Sequence, residues 1–315
     1  VTALSTQQGA LGLVNYWRPT TWDQAEEVPE TDPLAIMRGW APEAHGVHDD
    51  GFAMQERDLR ILARLWAAGG LMTEHVQALY FPEVRSPRAV RNRMLKLWRV
   101  GLVRRYRPQL SEARGTGSYL FTLTQLGLDV LHEARHPWWV TRYPLAAWDP
   151  RQQDRPPSFD LMHPLMVADI ASWAESRLKR EWVHESEPAG RVLVHGAGGR
   201  AAGDSFFPDA ILDDRRGGTS AWFLEVERRA YAPHWREKTA KWATWAAQYA
   251  FGQAPAVFVV AGYLRDAPDR IHRGILPLLE ETPDALRPLV HVLDLEAWDR
   301  TSDAPQMAPV ADVLG

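Results

Sequence analysis

The stretch from Ser86 to Gly101, SPRAVRNRMLKLWRVG, decides how the fold is read. Its apolar residues Val90, Met94, Leu97 and Trp98 recur three and four apart, which places them on one side of a helix. Ser86 is a natural N-cap, Pro87 has the fixed φ suited to a first helical residue, and Gly101 is a natural stop. The other side carries Arg88, Arg91, Asn92, Arg93, Lys96 and Arg99. From Arg85 to Arg107 there are nine basic residues and no acidic one. A merely solvated helix interleaves acidic residues at i,i+4. This one does not, so its charge points to a polyanion.

Working outward, two more helical patterns precede it. In RDLRILARLWAAGG, residues 57–70, Leu59, Leu62, Ala63 and Trp66 share a face, and Gly69 and Gly70 end the segment. Thr73 is placed to cap TEHVQALYF, in which Val76, Leu79 and Tyr80 repeat the pattern. After Gly101, LVRRYRP and SYLFTLT read as strands joined by a turn with Gly115 and Gly117, and Thr124 opens another helix, TQLGLDVLHEA. Three helices followed by a two-stranded ribbon give the order of a winged helix-turn-helix over residues 54–135. In such motifs the helix after the turn enters the major groove of duplex DNA. Cations there meet phosphates and polar side chains meet base edges. Arg104, Arg105 and Arg107 extend the same positive surface into the ribbon. Double-stranded DNA is the expected partner.

The net charge of −4 conceals this island. Residues 54–135 hold fourteen Lys and Arg against seven Asp and Glu, whereas residues 1–53 hold two against eight and residues 136–315 twenty against twenty-five. The first segment is broken by Pro19, Pro29, Pro33 and Pro42 and reads as an acidic, extended arm with at most one short helix. Residues 136–160 read as a stiff linker rich in Pro and Trp. There is no cysteine, which excludes disulfides and thiolate metal sites. No apolar run reaches membrane-spanning length and no leader opens the sequence, so no membrane partner and a cytoplasmic location are expected. The fifteen tryptophans are expected to pack cores.

Residues 161–315 read as an α/β (α+β) domain built on a mixed sheet with helices on both faces. A helix is expected over LMVADIASWAESRLKREW, residues 165–182, with Trp182 on its stripe. Strands follow in RVLVH, FFPDAILDD and SAWFLEVER, then a helix in PHWREKTAKWATWAAQYA, a buried strand in AVFVVAG, a helix in PDRIHRGILPLLEE and a strand in LVHVLDL. Asp213 and Asp214, ahead of RRGG, read as turn residues, and Gly196–Gly203 as a hairpin tip. Strand alternation puts Glu225 and Glu227 on one face, and a hairpin would bring Asp209 opposite Glu225. The next helix supplies Lys238 and Lys241. Carboxylates and an ammonium converging at a sheet edge suit a hard dication such as Mg²⁺, held by Asp209 and Glu225. The same residues also suit a plain ion-pair network with Arg228, Arg229 or Arg236, and both lysines also suit solvent-facing positions.

Pro208-Asp209 followed by Glu225-Val226-Glu227 resembles the restriction-endonuclease-like, PD-(D/E)xK pattern, with Glu227 standing where its lysine belongs. The resemblance implies that the lysine comes from the following helix, as Lys238 or Lys241. Taken together, the basic helix, HPLMVADI from His163, FPDAILDD and FLEVERRA resemble the replication-relaxation family from about Gln55 to Gly262. Ala168 departs from the Asn-Asp pair usual there. That resemblance implies a bacterial plasmid or mobile-element protein acting in replication or relaxation. Two outcomes stay open: a Mg²⁺-dependent DNA nuclease or nickase using Asp209, Glu225, Glu227 and Lys238 or Lys241, or a non-catalytic regulator whose second domain serves homodimer or partner binding. His163 reads as a hydrogen-bonding residue at a helix entry, and Asp169 as one that bonds to backbone or to an arginine.

Overall fold

The structure, a computed structural model, describes residues 22–24, 52–108, 119–134, 162–184, 192–195, 201–214, 220–227, 231–249, 254–265 and 274–315. The chain divides into two units, one ending at Asp169 and the other formed by Ile170–Gly315. It is a mixed α/β protein, and the second unit carries a mixed sheet.

In the first unit, α1 (Glu56–Ala68) begins where Asp58 turns back on the chain, its Oδ2 accepting the Gln55 N–H at 2.7 Å. Leu59, Ile61, Leu62, Ala63 and Leu65 are buried, so more of this helix is covered than one stripe. It stops at Gly69, whose φ of 70° is the left-handed conformation that glycine adopts without penalty. A two-residue strand, β2 (Leu71–Met72), leads into α2 (Thr73–Tyr80). Thr73 is the first helical residue rather than the cap. The Met72 N–H instead donates to Nδ1 of His75 at 3.2 Å. Next comes α3 (Arg88–Arg99), one residue later than Pro87 implied, with the Ser86 hydroxyl accepting the Arg88 N–H at 3.3 Å. Val90, Met94, Leu97 and Trp98 form its buried side, as the periodicity requires. Gly101 follows at a φ of 78°.

The chain then forms β3 (Val103–Pro108) and β4 (Leu120–Leu123), an antiparallel pair in register from Val103 opposite Leu123 to Tyr106 opposite Leu120. Their connecting turn lies outside the described residues. β2 pairs with β4, and β1 (Trp22–Gln24) pairs antiparallel with β3, giving the order β1-β3-β4-β2. The described part of the acidic arm is therefore a strand, with Asp23 in register opposite Arg107. The Thr124 hydroxyl caps α4 (Gln125–Ala134), accepting the Gly127 N–H at 2.9 Å and donating to the Gly101 carbonyl at 2.7 Å. The helix α5 (Met162–Arg177) crosses the division between units at Asp169. Leu165 packs with Met72, Tyr106 and Leu120, so its early turns belong to the first unit rather than starting the second. The Pro- and Trp-rich linker lies outside the described residues.

The second unit departs from the expected order at its start. Its first helix ends at Arg177, not Trp182. Lys179 takes a φ of 60° and redirects the chain into the edge strand β5 (Arg180–His184). FFPDAILDD is also not one strand. β6 (Val192–His195) and β7 (Ala201–Phe206) form a separate hairpin, whose tip is outside the described residues. The chain bends through Pro208 and Asp209 into β8 (Ala210–Asp214). Proline cannot donate to a ladder, which explains the break. Asp213 and Asp214 close β8, paired with Glu181 and Arg180 of β5, and are not turn residues. β9 (Ala221–Val226), α6 (Ala232–Ala246), β10 (Ala256–Gly262), α7 (Leu276–Glu280) and β11 (Val290–Asp294) follow, then β12 (Ala308–Pro309) and α8 (Val310–Leu314).

The sheet order is β12-β11-β10-β9-β8-β5, parallel at β9-β10-β11 and antiparallel at both flanks. One face carries Phe223, Phe258, Val260, Val290 and Val292 against Trp235, Trp242 and Trp245 of α6, with α7 and Val310 of α8. Trp242 stacks on Phe258 at 4.2 Å between ring centroids. The opposite positions, including Leu212, Leu224, Val226, Val259 and Leu293, are buried too. Burial on both faces is what a parallel core requires.

Candidate functional site

Two groups of side chains stand out, one in each unit. On α3, Arg88, Arg91, Asn92, Lys96 and Arg99 are all exposed, and so is Arg85 just before it. Residues 88, 92, 96 and 99 are one turn apart, so they line one side of the helix opposite its buried stripe. Among the described residues, none of Arg85, Arg88, Arg91, Lys96 or Arg99 has a carboxylate partner within ion-pair distance.

Arg93 is different. Its Nε donates to Oδ1 of Asp58 at 2.8 Å, its Nη2 pairs with Oδ2 of the same carboxylate, and a second bond reaches the Ala53 carbonyl at 2.7 Å. Asp58 is fully buried, so this bidentate pair ties α1 to α3 and removes Arg93 from the exposed row. Arg105 is also turned inward, its guanidinium 4.0 Å from the Trp98 ring centroid and 5.0 Å from that of Tyr119. It pins β3 to α3 and to the start of β4 by cation–π contact. Arg104 is half-buried, and the Arg107 side chain lies outside the described residues.

In the second unit, the register of β8 on β9 pairs Ala210 with Leu224. One step along, Asp209 comes to the end of β9, where its Oδ2 accepts the Val226 N–H at 2.7 Å. Glu225 alternates with Leu224 and Val226, so it shares the face of Phe223 that α6 covers. Glu227 follows at the strand end, its N–H bonded to the Ala261 carbonyl at 2.9 Å. Above them, Lys238 of α6 bridges the pair, with Nζ 2.8 Å from Glu225 Oε2 and 2.6 Å from Glu227 Oε1. Lys241 is not part of this cluster, because it bonds to Glu237 one turn away at 3.2 Å. Arg236 is engaged by Glu281 through two bonds of 3.0 Å. Arg228 and Arg229 lie outside the described residues.

The cluster holds three carboxylates and one ammonium. Burial, together with the charge of Asp209, pushes Glu225 up to about 8 despite Lys238. Burial works against the charge of Lys238, but Glu225, Glu227 and Asp209 outweigh it and hold the ammonium above its ordinary range. Three carboxylates thus share one ammonium, and burial disfavours the ionised form of Glu225. Among the described residues no three His, Asp or Glu side chains form a ready metal-ion cluster.

Sequence reasoning named Asp169 and missed its partner. His75 Nε2 meets Asp169 Oδ1 at 2.8 Å, with both side chains almost wholly buried. Since Nδ1 of His75 accepts from Met72, the neutral ring carries its proton on Nε2 and donates to Asp169. The signal was the buried face of a helix with a histidine on it, and its partner is ninety-four positions away in sequence. Arg180 was missed as well. It lies 3.8 Å from the Trp222 ring centroid and donates to the carbonyls of Leu212 and Ser220, which locks the edge strand.

A family model described as replication-relaxation matches residues 62–260. The chain belongs to the replication-relaxation family. The match covers more than half of the chain and takes in the exposed row of α3, the His75–Asp169 pair and the whole carboxylate–lysine cluster. Comparison of this replication-relaxation protein with curated proteins and with solved structures finds no match. No helix among its described residues is long and apolar enough to cross a membrane.

Proposed function

We propose that this protein is a DNA-binding member of its family, acting on the DNA of a plasmid or mobile element, with a winged helix-turn-helix as its duplex-binding unit. The observation that carries the reading is the row Arg88, Arg91, Lys96 and Arg99, exposed along α3 without carboxylate partners among the described residues. Uncompensated cations along a helix opposite its packed stripe are what phosphate contacts require. Asn92, in the middle of the row, has the donor and acceptor that read adenine in the major groove. The test is fluorescence anisotropy of a labelled duplex against salt. Five phosphate contacts, counting Arg85, give a slope of log affinity on log salt of about −4.5. A slope near zero overturns the reading.

The second unit supports a restriction-endonuclease-like domain that hydrolyses phosphodiester bonds. Lys238, from the helix after β9, bonds both glutamates and is read as the stand-in for the motif lysine that Glu227 replaces. The donors are the hard carboxylate oxygens that Mg²⁺ takes, three carboxylates against one ammonium. Asp209 and Glu225 would hold the ion, which when bound supplies an acidified water and neutralises phosphate charge. The Val226 N–H orients Asp209, and Lys238 fixes Glu225 and Glu227 while offering its ammonium to a phosphate oxygen.

One observation favours a non-catalytic regulator instead: Lys238 already bridges two of the three carboxylates, as in a structural ion pair. Incubation with supercoiled plasmid and Mg²⁺ or Mn²⁺ decides between them. Nicking lost in Asp209→Ala and Glu225→Ala supports hydrolysis, and binding without cutting in either metal supports the regulator.

A further inference from the structure

Two exposed aromatic side chains lie close along the chain to members of the carboxylate–lysine cluster. Phe207 and Tyr231 are 51% and 64% exposed, the two most exposed large apolar side chains among the described residues. Most of the unit's other large aromatics are packed inside. Phe207 is two residues before Asp209, so their Cα atoms lie within about 7 Å. Tyr231 immediately precedes α6, and Lys238 is seven residues on, two turns up the same side, about 10 Å along the axis. His234, also exposed, stands between them on that side. The Tyr231 ring has no ring or hydrogen-bond partner among the described residues. Burial would have been easy for either residue, because Phe206 and Trp235, one and four positions away, are both in the core. An exposed aromatic thus closely precedes both Asp209 and the helix that carries Lys238.

We infer that Phe207 and Tyr231 are stacking platforms for unpaired bases, and that the cluster takes single-stranded DNA, as in a gap, flap or melted duplex. This rests on the reading of the cluster as a phosphodiester site. Stacked bases of a duplex hide their faces from side chains, whereas an unpaired strand offers a π-face at every nucleotide. Strand phosphates next to the stacked bases then come near Lys238 and the carboxylates.

The test measures anisotropy of a labelled oligothymidine of about 12 nucleotides, within the usual single-strand footprint, on the full chain in Ca²⁺. A strand of equal length with abasic sites serves as comparator, since it keeps phosphates and lacks bases. Phe207→Ala and Tyr231→Ala should each weaken oligothymidine binding roughly tenfold, Tyr231→Phe should retain it, and the abasic strand should bind wild type as weakly as the alanine variants bind oligothymidine. Both rings are exposed, so the variants fold, and circular dichroism confirms it. Equal binding of the two strands, or alanine variants indistinguishable from wild type, overturns the inference. Plasmid cutting by wild type is scored separately. If cutting is absent while the base-dependent binding persists, the hydrolytic reading fails and the strand-stacking site stands.

Discussion

Replacing Lys238 by methionine tests the cluster most directly, because the unbranched apolar stem is largely kept while the charge and its two hydrogen bonds are lost. The side chains of Lys238, Glu225 and Glu227 are 17%, 4% and 12% exposed, so solvent screens little of what is lost. Glu225 titrates at about 8 in the fold against an ordinary 4.5. The folded state therefore binds an extra proton between those values. The associated stability is fully present below pH 4.5, is lost as pH rises through 8, and amounts to about 5 kcal/mol in all. With Lys238 removed, the glutamates face one another and Asp209 without a counter-charge. The expected cost is about 3–5 kcal/mol at pH 9, the penalty for stranding buried charge. At pH 5 Glu225 carries its proton and the cost falls to about 1 kcal/mol, that of lost hydrogen bonds. Urea unfolding of wild type and Lys238→Met across this pH range measures both. Mg²⁺ should raise the midpoint of Lys238→Met more than that of wild type, since the freed carboxylates gain an ion the unfolded chain does not hold. Equal losses at pH 5 and pH 9 would refute the argument that Lys238 is held by charge.

Four further outcomes follow from the structure. Arg93→Ala strands the buried Asp58 carboxylate and should cost about 3–5 kcal/mol in urea unfolding, with duplex affinity of the folded protein nearly unchanged. Arg91→Ala should do the reverse: stability within about 0.5 kcal/mol of wild type, weaker duplex binding, and a salt slope shallower by about 0.9. A methyl group added at Gly127 would fall on the Leu102 carbonyl oxygen, which is backbone and cannot yield. Gly127→Ala should therefore lower stability by about 3 kcal/mol, read as a lower thermal midpoint. His75→Phe removes the donor to the buried Asp169 and the cap of α2 together, and a loss of about 2–3 kcal/mol is expected. A neutral result in calorimetry would show that the pair is dispensable.

Much of the first unit was legible because its information is local. The stripe Val90, Met94, Leu97 and Trp98, the stops at Gly69 and Gly101, and the cap at Thr124 each follow from residues within one or two turns. The second unit was less so. An apolar run such as LMVADIASWAESRLKREW is equally compatible with a helix running to Trp182 and with a helix that stops at Arg177. A single backbone reversal at Lys179 settles it, and no local signal marks it. Pro208 carried the signal that should have split FFPDAILDD.

By itself, the sequence determined which residue types were at hand: a helix side of arginines without acids, and three carboxylates near two lysines. Charge and periodicity are properties of the chain and need no fold. Which of those groups meet was decided in three dimensions. Arg93 sits in the middle of the basic row, yet buried Asp58, thirty-five positions earlier, claims it. Lys238 and Lys241 are three residues apart on one helix, yet only the first lies over the end of β9. A salt bridge depends on distance and burial at once, and both are set only when strands take their register and helices settle on the sheet.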